Sequence, residues 1–160
     1  QALTRCELAI VARADVRALM KAHPAIGMAL WVDTLIDSSI FGEWITNVGR
    51  RDARTRIAHL LCEFARRLEV AGLAGEYRYE LPMTQEQLGD AAGLTPVHVN
   101  RVLRDLDKEG VISRTKRNVA IADWGRLRAI ADFNENYLHL DQVPRERQRA
   151  SSPSPEVVPQ

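Results

Sequence analysis

The sequence predicts a mainly α-helical fold with one small β-hairpin, in which a long helix precedes a compact helical unit. Three observations predict it. Residues 25–48 are helical in composition and apolar on more than one side. Residues 82–112 hold two short helices set off by capping residues and glycines, and directly after them residues 111–114 and 119–122 are β-prone runs separated by Thr115-Lys116-Arg117-Asn118.

Residues 1–23 read as the end of something larger. Cys6, Leu8 and Ile10 alternate with Glu7 and Ala9 at the period of a strand, and a strand without sheet partners is expected to fray over residues 1–12. Asp15 is placed to cap a short helix that stops at His23-Pro24. In residues 24–49, Met28, Trp31, Leu35, Ser38, Gly42 and Ile45 recur at spacings of three and four. This is a coiled-coil-like seam whose small members let a second backbone come close. Ile36, Ile40 and Trp44 fall on other sides, so the helix needs more than one covering surface. It is either a dimerisation helix or the buried core helix of a monomer. The run Gly49-Arg50-Arg51-Asp52 is expected to break the helix as a hinge, with Asp52 capping the next one.

Residues 50–142 form the compact unit. Over residues 53–71 the residues Ile57, Leu60, Leu61, Phe64 and Leu68 share one stripe, with Arg54, Glu63 and Arg67 outside it. Gly72 and Gly75 end that helix, and residues 76–81 read as a short extended link in which Tyr77 and Tyr79 alternate. Thr84 and Gln87 make a Thr-x-x-Gln capping box for a helix over residues 85–92 that stops at Gly93. Thr95 caps a second helix with Pro96 at its first position, where a missing N–H costs nothing, and Gly110 ends it. Gly89 is small where the two helices approach. Asp123 caps a last helix through Ala131, residues 137–140 fold back on the unit, and the Pro- and Ser-rich residues 143–160 are expected to be a disordered tail.

The second helix of this pair has two unlike faces. Val99, Val102, Leu103 and Leu106 form an apolar stripe. Val97, Arg101, Arg104 and Lys108 lie opposite, with His98 and Asn100 on the flanks. Arginine can bond guanine O6 and N7 in bidentate fashion, asparagine can do the same with adenine, and Val97 can touch a thymine methyl, so this face suits a major groove. Arg114, Lys116 and Arg117 on the hairpin suit phosphate contacts that fix position without reading sequence. Net charge over the whole chain is only +1, yet residues 95–128 hold eight Lys/Arg against four Asp/Glu. Two helices joined by Gly93-Leu94 and followed by a basic hairpin are a winged helix-turn-helix.

The segment LPMTQEQLGDAAGLTPVHVNRVLRDLDKEGVI, the basic hairpin and DWGRLRAIADF resemble the DNA-binding region of Crp/Fnr-type bacterial transcription regulators, over roughly residues 5–140. The resemblance implies a dimer on a two-fold-symmetric operator, with double-stranded DNA as partner and RNA polymerase as a further candidate. It places the family's recognition arginine at Arg101, with Pro96, Val97, His98, Asn100 and Arg104 at or beside base-reading positions. Thr84 and Thr95 join Arg114, Lys116 and Arg117 as expected phosphate contacts. Many members carry Glu where Val97 stands, so their operators cannot be carried over. The resemblance also implies a β-roll with an effector pocket ahead of residue 23, absent from this sequence, which lacks an initiator Met and reads as a fragment or processed chain. The family's Thr-Ser pair for cyclic nucleotide falls at Phe41-Gly42, which cannot make those bonds, so no cofactor is expected.

Other classes find less support. Cys6 and Cys62 lack CxxC spacing, which suits a reducing compartment; Cys62 reads as plain core. His59 and Glu63 stand at i, i+4 without further metal ligands, and read as a surface or mutually satisfied pair. The Arg50, Arg51, Arg54 and Arg56 run reads as a solvated face. No nucleophile–base pair, phosphate loop or metal set suggests an enzyme. No signal peptide and no apolar run of bilayer length is expected, placing the protein in the cytoplasm. The alternative to an operator-binding regulator is a truncated chain that pairs with a full-length relative and modulates it.

Overall fold

The computed structural model describes residues 2–3, 5–75 and 77–142; the expected tail over residues 143–160 lies outside them. Six helices and three strands follow in order: α1 (Arg13–Ala22), α2 (Pro24–Arg50), α3 (Ala53–Val70), β1 (Arg78–Glu80), α4 (Gln85–Ala92), α5 (Pro96–Lys108), β2 (Ile112–Thr115), β3 (Asn118–Ile121) and α6 (Trp124–Ile130). Two 3-10 turns, Glu135–Leu138 and Leu140–Gln142, close the described chain. The fold is the mainly helical one expected, with a small sheet.

One core holds the compact unit together. Ile57, Leu60 and Leu61 of α3 meet Leu88 of α4, Val99, Leu103 and Leu106 of α5, Ile112 and Val119 of the sheet and Leu127 of α6, all essentially without solvent contact. Burial of each such side chain contributes about 1.5–3 kcal/mol relative to exposure. Cys62 lies in the same core, and burial pushes its thiol pKa far up, so it is inert packing.

The wing is larger than the hairpin expected. β2 and β3 pair antiparallel with Thr115 opposite Asn118, leaving Lys116 and Arg117 as the turn. β1 adds a third strand on the other side of β3, Tyr79 facing Val119. The link over residues 76–81 therefore contributes a strand. Tyr79 drives this: its ring is buried and its hydroxyl donates to the Leu61 carbonyl at 2.9 Å, tying the sheet to α3.

Several local expectations are corrected. Residues 5–12 carry no strand, since no neighbouring strand offers them a ladder. α1 starts at Arg13 after Ala12, and Asp15 sits in its first turn instead of capping it. α2 passes through Gly49 and ends at Arg50; the break comes at Arg51, after which Asp52 caps α3 by accepting from the Thr55 N–H. One glycine in a helix costs only about 1 kcal/mol, which the surrounding turns absorb. α2, with 27 residues, is long and apolar enough to cross a bilayer by length and composition, contrary to the sequence reading. Asp33 and Asp37 are exposed along it, and its last turns pack on the compact unit.

Of the arginine run, Arg50 is exposed as expected, whereas Arg51, Arg54 and Arg56 are not a solvated face. Arg51 bonds Glu43 at 2.7 Å and reaches Asp132. Arg54 forms a two-pronged bond to Glu109 at 2.7 and 2.8 Å. Arg56 donates to the Arg51 carbonyl at the end of α2 and to the Ala92 carbonyl at the end of α4. These side chains clamp α2, α3 and the helix pair into fixed relation.

Candidate nucleic-acid interface

The reading face is built by two capped helices. Thr84 Oγ1 accepts from the Gln87 N–H at 3.2 Å while Gln87 Oε1 accepts from the Thr84 N–H at 2.8 Å, closing the expected capping box. Gly93 turns the chain with φ +63°, a conformation unfavourable for residues bearing a Cβ. α5 then starts under Thr95, whose hydroxyl accepts from the His98 N–H at 3.4 Å. At Gly89 a Cβ would lie 2.5 Å from the Leu94 carbonyl oxygen, so only glycine allows the helices to come this close.

α5 is divided as its sequence dictates. Val99, Val102, Leu103 and Leu106 are buried. Pro96, Val97, His98, Arg101 and Arg104 are exposed, Val97 to 77%, and Asn100 is half-buried. Gln85, Pro96, Val97, Asn100, Arg101, Arg104, Asp105 and Lys108 line one shallow groove. Among the described residues the exposed Arg101 and Arg104 side chains have no bonding partner, whereas Arg54 and Arg126 both converge on Glu109 near the C-terminal end of α5.

The wing brings Lys116 and Arg117 to an exposed turn, Lys116 with φ +56°. Arg114 is not with them. It alternates with Ser113 and Thr115 onto the inner side of the sheet, half-buried, and its Nε is buried without a partner among the described residues. Thr84 and Thr95 are exposed, their hydroxyls engaged in capping.

The expected dimer seam is open. Met28, Trp31, Leu35 and Ile45 are 52–74% exposed, Ser38 is exposed, and nothing lies within 4 Å of a Cβ built on Gly42. Ile40 and Trp44, assigned to other sides of the helix, pack against the core of the compact unit.

Sequence reasoning missed what holds that junction. Glu63, expected outside the α3 stripe, is buried. Trp44 Nε1–H donates to Glu63 Oε2 at 2.9 Å, the Tyr137 hydroxyl donates to the same oxygen at 2.8 Å, and Arg67 bonds Oε1 at 3.0 Å. His59, fully buried, bonds the Tyr137 hydroxyl through Nε2 at 3.0 Å. With the Tyr137 hydrogen on Glu63 the tyrosine contact calls for a proton on Nε2, while Nδ1 faces the Ala131 carbonyl at 3.4 Å and calls for one there, so a neutral ring serves one of the two contacts. Burial, and secondarily the Arg51 charge, holds the His59 pKa below the ordinary histidine value. Burial also drives the Tyr137 pKa far up, and it stays protonated. The His59–Glu63 pair is thus satisfied through tyrosine, and no group of metal-ligating side chains occurs among the described residues.

Residues 55–130 match the family model of the Crp-like helix-turn-helix domain. The chain is of the Crp/Fnr type. It is 36% identical over 113 residues to the transcriptional activator FnrL of Cereibacter sphaeroides, a match spanning 68% of this chain and 46% of that protein. It is 28% identical over 131 residues to the nitrogen fixation regulation protein FixK of Azorhizobium caulinodans, spanning 81% of this chain and 53% of that one. Among solved structures, FixK2 of Bradyrhizobium japonicum superposes with a TM-score of 0.69 at 26% identity, over 75% of this chain and 59% of that one. The chain spans about half the length of the curated relatives it matches.

Proposed function

We propose that this Crp/Fnr-type chain is the dimerising and DNA-reading part of a transcription regulator, two copies of which bind a two-fold-symmetric operator. One observation carries the reading. A recognition helix fixed from below by four buried apolar residues presents Val97, Asn100, Arg101 and Arg104 outward, beside a basic wing turn. Pairing through Met28, Trp31, Leu35, Ser38, Gly42 and Ile45 would set two such helices about 34 Å apart, one turn of DNA. Lys116 and Arg117 contact phosphates in this reading, while Arg114 contributes mainly by supporting the sheet. The protein works in the cytoplasm, without catalysis or a cofactor held by these residues, and RNA polymerase is its partner at promoters.

Selection of bound sequences from a random duplex pool, with the mass of the free protein recorded in solution, tests this. An inverted repeat recovered by a dimer supports it. Salt-sensitive binding with no enriched motif, or a monomer that binds nothing, favours pairing with a full-length relative instead. On the selected operator, Arg101→Ala is expected to weaken binding by about 1–3 kcal/mol and relax one base pair. Lys116→Ala is expected to weaken all sequences alike and to lower the salt slope by about 1.

A further inference from the structure

Asn100 does not stand free in the groove. Its Nδ2 donates to Gln85 Oε1 at 3.0 Å, a contact between the first residue of α4 and the fifth residue of α5. Both side chains are half-buried and line the same groove as Val97, Arg101 and Arg104. The backbone of Gln85 is held beside Thr84, which the capping box locks; the bond to Asn100 is the one its own side-chain amide makes among the described residues.

An asparagine amide is nearly symmetric in shape, and a free one can turn over to exchange its oxygen and nitrogen. The two orientations read differently. Bidentate recognition of adenine needs the oxygen facing N6–H and an N–H facing N7, whereas guanine presents two acceptors along the same edge. In the arrangement found, with Gln85 Oε1 accepting one Nδ2 hydrogen, this freedom is removed as long as the glutamine amide keeps its own orientation. Oδ1 and the second N–H are left for the groove, which is the adenine-type pattern. The Gln85 Nε2 hydrogens remain available for a phosphate or a base acceptor next to it.

We propose that Gln85 is a positioning residue for base recognition, fixing the amide orientation of Asn100 and so setting the preference at the base pair Asn100 reads. This rests on the DNA-reading function proposed above. The sequence reading assigned Asn100 to a base and gave Gln85 no part, because the two are brought together only by the turn at Gly93.

The test compares Gln85→Ala, Gln85→Glu, Asn100→Ala and Arg101→Ala on the selected operator and on every single-base-pair variant of it. Asn100→Ala is expected to reduce discrimination at one base pair by roughly 5- to 100-fold, the worth of one bidentate contact. Gln85→Ala is expected to relax that same base pair by about fivefold or more, leaving the Arg101 position unchanged. Gln85→Glu keeps the acceptor, so it retains the preference while weakening all sequences together through its added negative charge. Loss of discrimination in Gln85→Glu equal to that in Gln85→Ala would overturn the proposed orientation. Unchanged base preference in Gln85→Ala would overturn the positioning role, with Arg101→Ala showing that DNA reading itself stands. A second readout needs no DNA. The Asn100 side-chain amide protons should be separated and slow to exchange by NMR in the parent, and merged toward solvent values in Gln85→Ala; identical spectra would sink the contact even if the chain bound no operator.

Discussion

The two ends of α2 belong to one helix and live in opposite environments. From Met28 to Leu35 the helix shows large apolar side chains to solvent, while from Ile40 onward one side turns Ile40, Glu43, Trp44 and Asn47 into the compact unit and the other leaves Phe41 and Ile45 exposed in line with the seam. The first end is touched by α1, whose Met20 lies against Gly27, and its remaining apolar side chains are uncovered among the described residues. The second is held by a polar lattice of Glu43, Arg51, His59, Glu63 and Tyr137 from three separated segments. Apolar surface can adhere at many angles, whereas short hydrogen bonds between buried groups are satisfied at one. In the proposed dimer, the contrast assigns assembly to the apolar side of this helix and orientation to its polar, buried side.

The largest effect should come from breaking the apolar end. Leu35→Glu enters a two-fold interface twice and sets two carboxylates in an otherwise apolar seam. Self-association is expected to fall by roughly 100-fold or more, since 1.4 kcal/mol is tenfold and each carboxylate costs more than that. Sedimentation measures this, and thermal unfolding of the compact unit should be unchanged. A dimer of parental strength would show that the seam lies elsewhere.

The polar end should respond in the reverse sense. Glu63→Ala strips acceptors from Trp44, Tyr137 and Arg67 at once, and is expected to cost about 2–4 kcal/mol of stability. Urea unfolding reads this, with dimer formation at low temperature retained. If Glu63→Ala dissociated the dimer while leaving stability intact, the division of labour proposed for α2 would be wrong.

The smallest effect is a pH dependence confined to the polar end. Because the folded-state pKa of His59 is depressed below its ordinary 6.5, the unfolded chain takes up a proton first as pH falls. Its contribution to stability is therefore complete above about pH 6.5 and is lost as pH drops from there toward the folded-state value. Unfolding free energies at pH 7.5 and 5.5 should differ more in the parent than in His59→Gln; equal slopes would remove His59 as the cause.

Much of the fold was legible in the sequence where the signal is local. Thr84 with Gln87, Thr95 with Pro96, and the glycines at 89 and 93 act within a few residues of themselves, and each was read correctly. The burial of Glu63 was not, because its donors come from Trp44 and Tyr137, 19 and 74 residues away, and a polar residue beside Arg67 looks exposed. The same blindness hid the pairing of β1 with β3 and the clamp made by Arg51, Arg54 and Arg56. Arg114 was grouped with Lys116 and Arg117 by charge, but strand alternation turns it to the other side of the sheet. Within the reading face, the exposed positions followed from helical period, while the contact of Gln85 with Asn100 needed the turn to be built first.

α2 is also a lever. At 1.5 Å per residue its length is about 40 Å, so a tilt of roughly 5° at the Arg51 junction moves its far end by about 3.5 Å, close to the rise of one base pair. In the proposed dimer, with two such arms clamped together, slack at the junction would become uncertainty in how far apart the two half-sites can lie. On that proposal the stiffness of the lattice around Glu63 would be a ruler's tolerance, and loosening it should blur the operator's spacing before it blurs its letters.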